Sequence, residues 1–424
     1  MNIFVSITLW IAYVIALYFS IFLLLVYFDN KKMFKKEKSS LFPKKYPLVS
    51  VLVPVFNEQN TVLGTLKSIA NLDYPKDKLE VIVINDGSTD NTKKIVQEYI
   101  KDQDSFKLIS HQNRGKGASM NRALEMAKGK FFACLDADSF VDSLTLKKQL
   151  SLYYNQNDPR LAIITPAMKV YKPKNILQKI QWIEYLVIIL IARIASQLDA
   201  LYVAPGPFSL YRTSIVRKLG GFDEKSITED QEIAYRIQKH NYRIKQCFDG
   251  YVYTVAPNKI KPFYYQRRRW YLGGVSCLYK YKSMVANKKY GDFGIMQMIK
   301  NVIGYLLAVI GIGAFVYIIL LPLMTKLKNL LAIKFNILPY ILNLELNFSW
   351  LNFLMMDFKR SFLVIFILMV GTYLFYQAHK NANERIVRFG WIPLIPYFLF
   401  YYLLKGTIFI MSLFQFVRGK KLKW

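Results

Sequence analysis

Residues Ile3 to Phe28 form an almost wholly apolar run that carries no charged side chain. A helix crosses the hydrocarbon layer of a bilayer with about 20 such residues, so this run is long enough to span one. No basic stretch precedes it and no small-residue cleavage site follows it, which predicts an uncleaved span rather than a removed leader. Lys31, Lys32, Lys35, Lys36 and Lys38 stand directly behind it. Basic residues beside a span stay on the cytoplasmic side, so the N-terminus is expected outside and the next domain inside.

From Val49 to about Tyr290 the pattern alternates between short β-rich runs and helical stretches. The continuous apolar run Val49 to Val55 reads as a buried strand, and Leu79 to Ile84, Phe106 to Ile109 and Phe131 to Leu135 read as three more. Asn60 to Ala70, Asn91 to Lys101 and Ser119 to Lys128 read as the helices between them. Such alternation predicts a mostly parallel sheet with helices on both faces and ligands at the carboxyl ends of the strands. Leu177 to Leu198 is a long apolar helix interrupted by Glu184 and Arg193. Central charges are costly in lipid, so an interfacial or domain-buried helix is expected there rather than a span. After Gly291 the chain turns membrane-like, with spans expected at Ile299 to Leu323, Ser361 to Gln377 and Trp391 to Phe416. Leu330 to Met356 is interrupted by Pro339, Glu345 and several Asn, so the C-terminal region holds three or four spans. If that segment crosses, the basic tail from Arg418 to Lys423 is cytoplasmic. The resulting division is an N-terminal transmembrane helix (1–30), a cytoplasmic α/β domain (47–260), an amphipathic interface segment (261–290) and a C-terminal transmembrane region (295–424).

Lys and Arg number 58 against 28 Asp and Glu, a formal net charge of +30 that favours anionic partners. Nucleic acid is not expected, because the basic residues cluster beside apolar segments instead of forming a groove-facing patch. Cys134, Cys247 and Cys277 are widely spaced and odd in number, which gives no metal-ligand spacing and no disulfide framework and fits a reducing compartment. His111, His240 and His379 lie apart and carry no metal or triad signal.

Three acidic stations precede a cationic-aromatic cluster. Asn85-Asp86-Gly87-Ser88-Thr89-Asp90 follows a strand and opens a helix; it reads as a capped turn, or as Asp86 receiving a nucleotide with Gly87 allowing close backbone approach. Asp136-Ala137-Asp138 ends an apolar strand and reads as an Asp-rich turn, or as one carboxylate aimed at a ribose and one at a divalent ion. Thr228-Glu229-Asp230 opens a helix over Gln231 to His240, with Thr228 suited to capping and Asp230 to general-base work on an acceptor hydroxyl. Gln266-Arg267-Arg268-Arg269-Trp270 reads as a membrane-interface anchor, or as Arg269 meeting a diphosphate and Trp270 stacking on a sugar. Lys116 is either a phosphate contact or a surface lysine, and Gly206 in Pro205-Gly206-Pro207-Phe208 lets backbone approach an acceptor.

In this order the motifs resemble those of the membrane-integrated family-2 processive glycosyltransferases, the group that holds the cellulose, hyaluronan, chitin-oligosaccharide and poly-N-acetylglucosamine synthases. The resemblance covers roughly Pro47 to Tyr290 and the flanking spans. It implies an α/β GT-A glycosyltransferase domain plus α-helical transmembrane segments. It also implies Pro54, Phe56, Glu58, Asp86, Lys116, Asp136 and Arg269 at the donor nucleotide, Asp138 on Mg2+ or Mn2+, and Asp230 as catalytic base. Gln266, Trp270, Gly206 and Glu229 are then expected at the acceptor. Thr-Glu-Asp and Gln-Arg-Arg-Arg-Trp look more like the poly-N-acetylglucosamine and cellulose branches. The expected activity is inverting, metal-dependent transfer from a UDP-sugar, UDP-GlcNAc first and UDP-Glc second, to a growing β-linked glycan passed across the plasma membrane. An accessory membrane subunit is a further partner the resemblance admits. Two rival readings are transfer of one sugar to a membrane lipid and a non-catalytic export scaffold.

Overall fold

The structure, a computed structural model, describes residues 3–31, 46–332 and 358–419. Lys32, Lys35, Lys36 and Lys38, nearly all of the ambiguous 330–356 segment, and Lys420 to Lys423 of the basic tail lie outside those residues. The chain divides into two compact units, Met1–Phe28 with Ile303–Tyr376 and Asp29–Val302 with Gln377–Trp424.

The second unit is built on one sheet of eight strands. They are β1 (Val49–Val55), β2 (Leu79–Asp86), β3 (Phe106–His111), β4 (Phe131–Cys134), β5 (Ser139–Val141), β6 (Leu161–Val170), β7 (Leu210–Arg212) and β8 (Arg243–Thr254), in the order β3-β2-β1-β4-β7-β6-β8-β5. β1 pairs in parallel with β2 and β4, β2 with β3, and β6 with β8. β7 runs antiparallel to β4 and β6, and β5 antiparallel to β8. The sheet is thus mixed, with the parallel half that strand-helix alternation predicts.

Period-two alternation sorts the strand residues between two cores, one per face. Val51, Val53, Val81 and Val83 pack in one cluster with Val62, Leu66 and Ile69 of the helix Val62–Ala70. Leu52, Ile82 and Ile84 pack in the other with Met120, Ala123 and Leu124 of the helix Lys116–Met126. The spacings 62/66/69 and 120/123/124 each make one helical stripe, which is why both helices lie flat on the sheet. Because β1, β2 and β4 are parallel, their carboxyl ends, and the loops after them, share one edge.

The helix Ile176–Gln197 opens on a capping box: Asn175 Oδ1 accepts from Gln178 N at 2.9 Å, and Gln178 Oε1 accepts from Asn175 N at 3.4 Å. It is largely buried in this unit, and its two interrupting charges are partnered: Glu184 meets Arg267, and Arg193 donates to Asn381 Oδ1 at 2.8 Å. Protein, not lipid, surrounds them. Among the described residues, four other helices are long and apolar enough to cross a membrane and bury little of themselves in protein: Val5–Asp29, Phe293–Ala332, Ser361–Asn381 and Leu394–Val417. Within the first unit, Tyr27 meets Tyr373 edge-on at 6.1 Å.

Phe132 is fully buried in β4 and stacks on Tyr211 of β7 at 4.8 Å and 7°. Phe132→Ala removes the ring at the joint between the parallel and antiparallel halves. A cost of about 3–5 kcal/mol is expected, read as a lower unfolding midpoint of the detergent-purified chain.

Candidate active site at the carboxyl ends of the central strands

The loops after β1 and β2 are stitched to each other before any ligand is considered. Asn57 N donates to Ser88 Oγ at 3.1 Å, Thr89 N to Asn57 Oδ1 at 2.8 Å, and Glu58 N to Thr92 Oγ1 at 2.8 Å. Asn57 takes a left-handed φ of 54° to make this turn. At the start of the helix after β2, Thr92–Ile100, Asp90 Oδ1 accepts from Thr92 N at 3.0 Å. That leaves Asp86 for another task. Its Oδ1 accepts from Arg114 N at 2.8 Å and its Oδ2 from Gly115 N at 3.0 Å, which fixes the turn that delivers Lys116. Gly87, at φ +73°, has no room for a side chain, since a Cβ would lie 2.7 Å from Asn113 N. His111 Nδ1 lies 3.4 Å from Asp86 Oδ1, so Oδ2 is the freer of the two oxygens. Of the β1 loop residues, Phe56 is exposed and Glu58 half-buried, while Pro54 sits in the strand opposite Ile84.

Lys116 is the first residue of its helix, and its ammonium lies 2.6 Å from Asp136 Oδ1 and 2.9 Å from Glu229 Oε1. The lysine side chain is 23% exposed. One lysine thereby joins the end of β4 to the start of the helix Glu229–Lys239. Gly206 borders this pair: a Cβ there would stand 2.9 Å from Lys116 Nζ and 3.1 Å from Asp136 Oδ2.

Charge then separates the carboxylates into two kinds. Burial works to raise Glu229, but the Lys116 ammonium outweighs it and holds Glu229 below the usual range. Asp138 and Asp230 go the other way. Desolvation and then the negative charge of Asp136 push Asp138 up to about 7, and a hydrogen bond from Ser139 Oγ at 2.9 Å offsets only part of that. Desolvation and then Glu229 push Asp230 up to about 6, against the pull of Lys116 and Arg269. Glu58 is raised by desolvation, with Asp136 and Asp90 adding to it. Lys116 itself is held above its ordinary value because Asp136 and Glu229 outweigh its desolvation. Paired carboxylates pushed apart in this way can divide acid-base and cation-holding work.

A recess in which Glu58, Asp136 and Asp138 repel one another is one that a divalent cation would relieve. Among the described residues no group of three or more His, Cys, Asp or Glu has metal-holding geometry. One or two carboxylates suit a hard cation that takes its remaining ligands from phosphate oxygens and water.

The helix Ile260–Lys280 carries Gln266 to Trp270. Arg269 acts on the cluster electrostatically, lowering both Glu229 and Asp230. Gly273, one turn further on, is packed against Thr228, where a Cβ would meet Oγ1 at 2.2 Å. Thr228 therefore does not cap its helix as the sequence suggests; its side chain is turned to Gly273, and only its carbonyl joins the helix, accepting from Glu232 N at 3.0 Å. Gln266 keeps a buried Oε1 without a hydrogen-bond partner. Arg267 was not singled out by the motif and proves to be the buried member. It is 2% exposed, bonds Glu184 Oε2 at 2.5 Å and Tyr401 Oη at 3.3 Å, and lays its guanidinium 4.1 Å over the Trp270 ring. Lys405 closes the cluster at 2.6 Å from Glu184 Oε1. The signal for it was present in Glu184, a carboxylate inside an apolar helix, which demands a buried cation.

Residues 50–220 match the family described as glycosyl transferase family 2. The poly-beta-1,6-N-acetyl-D-glucosamine synthase of Staphylococcus epidermidis is 29% identical over 377 residues, which cover 88% of this chain and 84% of that protein. The protein of the same name from Staphylococcus aureus strain MSSA476 is 32% identical over 235 residues, 54% of this chain and 55% of that one. Among solved structures, the mannosyltransferase PcManGT from Pyrobaculum calidifontis, in complex with GDP-Man and Mn2+, superposes with a TM-score of 0.53 at 19% identity over 88% of this chain and 99% of that chain. The likeness identifies the architecture as a GT-A-like glycosyltransferase fold.

Glu184→Leu leaves the buried Arg267 and the half-buried Lys405 without their carboxylate. Breaking one member of a buried ion cluster costs about 3–5 kcal/mol, whereas replacing all members by apolar residues is often neutral. The single variant should therefore melt well below the parent, and Glu184→Leu combined with Arg267→Met and Lys405→Met should recover most of the loss. A single variant that melts with the parent would show that the cluster contributes nothing.

Proposed function

The chain is a glycosyltransferase with a family-2 domain, and on that premise we propose that it adds N-acetylglucosamine from UDP-GlcNAc to a growing β-linked polysaccharide at the cytoplasmic face of the plasma membrane. The observation that carries this reading is the extent of the similarity. It runs over 88% of this chain, well past the catalytic domain, to a protein named for polysaccharide synthesis. The apolar helices make the chain an integral membrane protein.

In the proposed mechanism the stitched loops after β1 and β2, with Pro54, Phe56, Glu58 and Asp86, frame the nucleoside. Lys116 and Arg269 meet the diphosphate, where a guanidinium matches phosphate geometry. Asp138, with Asp136 beside it, would hold Mg2+ or Mn2+. That ion, when bound, offsets negative charge on the diphosphate. PcManGT, which shares the fold, was solved with Mn2+ and GDP-Man. Asp230, raised to about 6, accepts the proton of the acceptor hydroxyl. The acceptor oxygen bonds to the anomeric carbon on the face opposite the departing UDP, and the broken bond's electron pair leaves with the diphosphate. Direct displacement inverts the anomeric centre and gives a β-linkage. Gln266 and Trp270 hold the end of the glycan. Gly206 gives it backbone clearance beside Lys116 and Asp136, and Glu229 keeps Lys116 in place. The spans then pass the product across the membrane.

Incubating membranes separately with labelled UDP-GlcNAc, UDP-Glc and UDP-GlcA tests the reading, with polymer expected from UDP-GlcNAc. A single-sugar glycolipid as sole product would replace it with transfer to a lipid. Asp230→Asn should keep UDP binding and lose roughly 10²- to 10⁴-fold in transfer; retained turnover would remove Asp230 from the base role. The folded Asp230 is protonated below about pH 6 and ionised above it. A base must be ionised, so kcat/KM for the parent should climb with pH through about 6 and level off, and a flat profile would contradict the assignment. Chelation should stop transfer and added Mg2+ or Mn2+ restore it, with Asp138→Asn raising the metal concentration needed by roughly tenfold or more.

A further inference from the structure

A cavity of about 510 Å³ shares no residue with the carboxylate recess. Its walls come from the end of β6, the turn Tyr171 to Lys174, Trp182 on the buried helix, and the segment Glu384 to Phe389. Four cations line it, Lys169, Lys172, Lys174 and Arg388, against one carboxylate, Glu384, which leaves a local charge of 4 − 1 = +3. Glu384 is already taken: Lys169 lies 3.0 Å from its Oε1, and Arg388 pairs with its Oε2. Among the described residues, Lys172 and Lys174 have no carboxylate within ion-pair distance, and both are exposed at the mouth. Lys172 is held there by a left-handed backbone at φ 36°, with its ammonium 5.2 Å over the Tyr171 ring. Below the mouth the floor is aromatic, with Trp182 meeting Phe389 edge-on at 5.0 Å.

The place of the cavity along the chain says which anion reaches it. Glu384 to Phe389 belong to the connection between two candidate spans, Ser361–Asn381 and Leu394–Val417. Directly after Phe389, Trp391 and Ile392 are 70% and 68% exposed. Exposed Trp beside a span marks the headgroup level of a bilayer. A cationic mouth over an aromatic floor at that level matches an amphipathic anion with a phosphate at one end and hydrocarbon at the other. A free phosphate would use only the mouth.

We propose that this cavity is a binding site for an anionic membrane phospholipid, whose phosphate lies between Lys172 and Lys174 and whose glycerol and first methylenes lie on Trp182 and Phe389. The lipid would thereby fasten the Glu384–Phe389 connection to the end of β6, adding to the Lys169 bond to Ala382 O at 2.7 Å.

The test uses the purified full-length chain in mixed micelles, titrating phosphatidylglycerol against phosphatidylcholine and measuring bound lipid by mass spectrometry. Each lysine near an anionic headgroup contributes about fivefold, so Lys172→Ala with Lys174→Ala should weaken phosphatidylglycerol binding by roughly twenty-five-fold. Lys93→Ala with Lys94→Ala, on the exposed side of the helix Thr92–Ile100, serves as a charge-matched control and should leave binding unchanged. Both pairs of lysines are exposed, so neither variant removes a buried side chain. Unaltered binding in the cavity variant would overturn the proposal, as would an equal loss in the control, which would mean diffuse attraction to a basic protein. A separate arm probes the amines by chemical labelling. Protection of Lys172 and Lys174 by phosphatidylglycerol micelles but not by inorganic phosphate or glycerol phosphate supports the lipid. Equal protection by the soluble phosphates would make the cavity a free-phosphate site and refute the lipid assignment.

Discussion

The ammonium of Lys116, clamped between Asp136 and Glu229, is the interaction on which the site depends. Glu58, Asp136, Asp138, Glu229 and Asp230 bring five carboxylates into mutual influence with two cations, Lys116 and Arg269. With every group ionised the balance is 2 − 5 = −3. Such a recess is stable only if some carboxylates hold their charge against a partner and others give it up. Lys116 decides which. Glu229, in direct contact with it, is held below the usual range; Asp138 and Asp230, pushed up by burial first and by neighbouring carboxylates second, go the other way. The same lysine also fixes geometry, because its two partners sit on different elements and Asp86 anchors the turn that presents it. Charge separation and position therefore have one cause.

Much of this was legible in the chain. Four strands of the parallel half and the helices that cover them follow from continuous apolar runs and helical stripes. The acidic stations after β2 and β4 were visible because turns at strand ends are where short polar residues collect. The other half, where β7 and β5 run antiparallel to their neighbours, was not visible, for physical reasons. β6 contains Pro166, and its pairing with β8 shifts register there; β8 is interrupted by Asp249-Gly250; β5 and β7 are three residues each, too short to show alternation. Long-range partnership was equally hidden. That Lys116 belongs with Glu229, or that Asp86 spends hydrogen bonds on the Arg114 and Gly115 amides, depends on folding that no local pattern encodes. Glu184 did give warning, since a carboxylate in an apolar helix cannot be left alone, but nothing in the sequence names Arg267 as its partner over any other arginine.

The second ion cluster separates the task of Arg267 from that of Arg269. At about 100° per residue, Arg267 and Arg269 lie roughly 200° apart around their helix, on nearly opposite sides. Phe263, Arg267 and Trp270 fall at spacings of four and three and share one side, as their stacked contacts at 5.1 Å and 4.1 Å require. Arg269 and Gly273, four apart, lie towards the other, where Gly273 meets Thr228 and Arg269 acts on Glu229 and Asp230; Gln266, four before Trp270, lies between the two. One side is anchored in Glu184, Tyr401 and Lys405; the other is offered to the carboxylate recess. An arginine anchor buried in the protein cannot swivel, so the rotation of the helix, and with it the direction of Arg269, is set by a charge pair on its far side. A Lys at position 267 would supply the charge but not the planar guanidinium that bonds Glu184 while lying flat on Trp270. The orientation of the Arg-Trp segment is therefore a property of the buried cluster as much as of the motif itself.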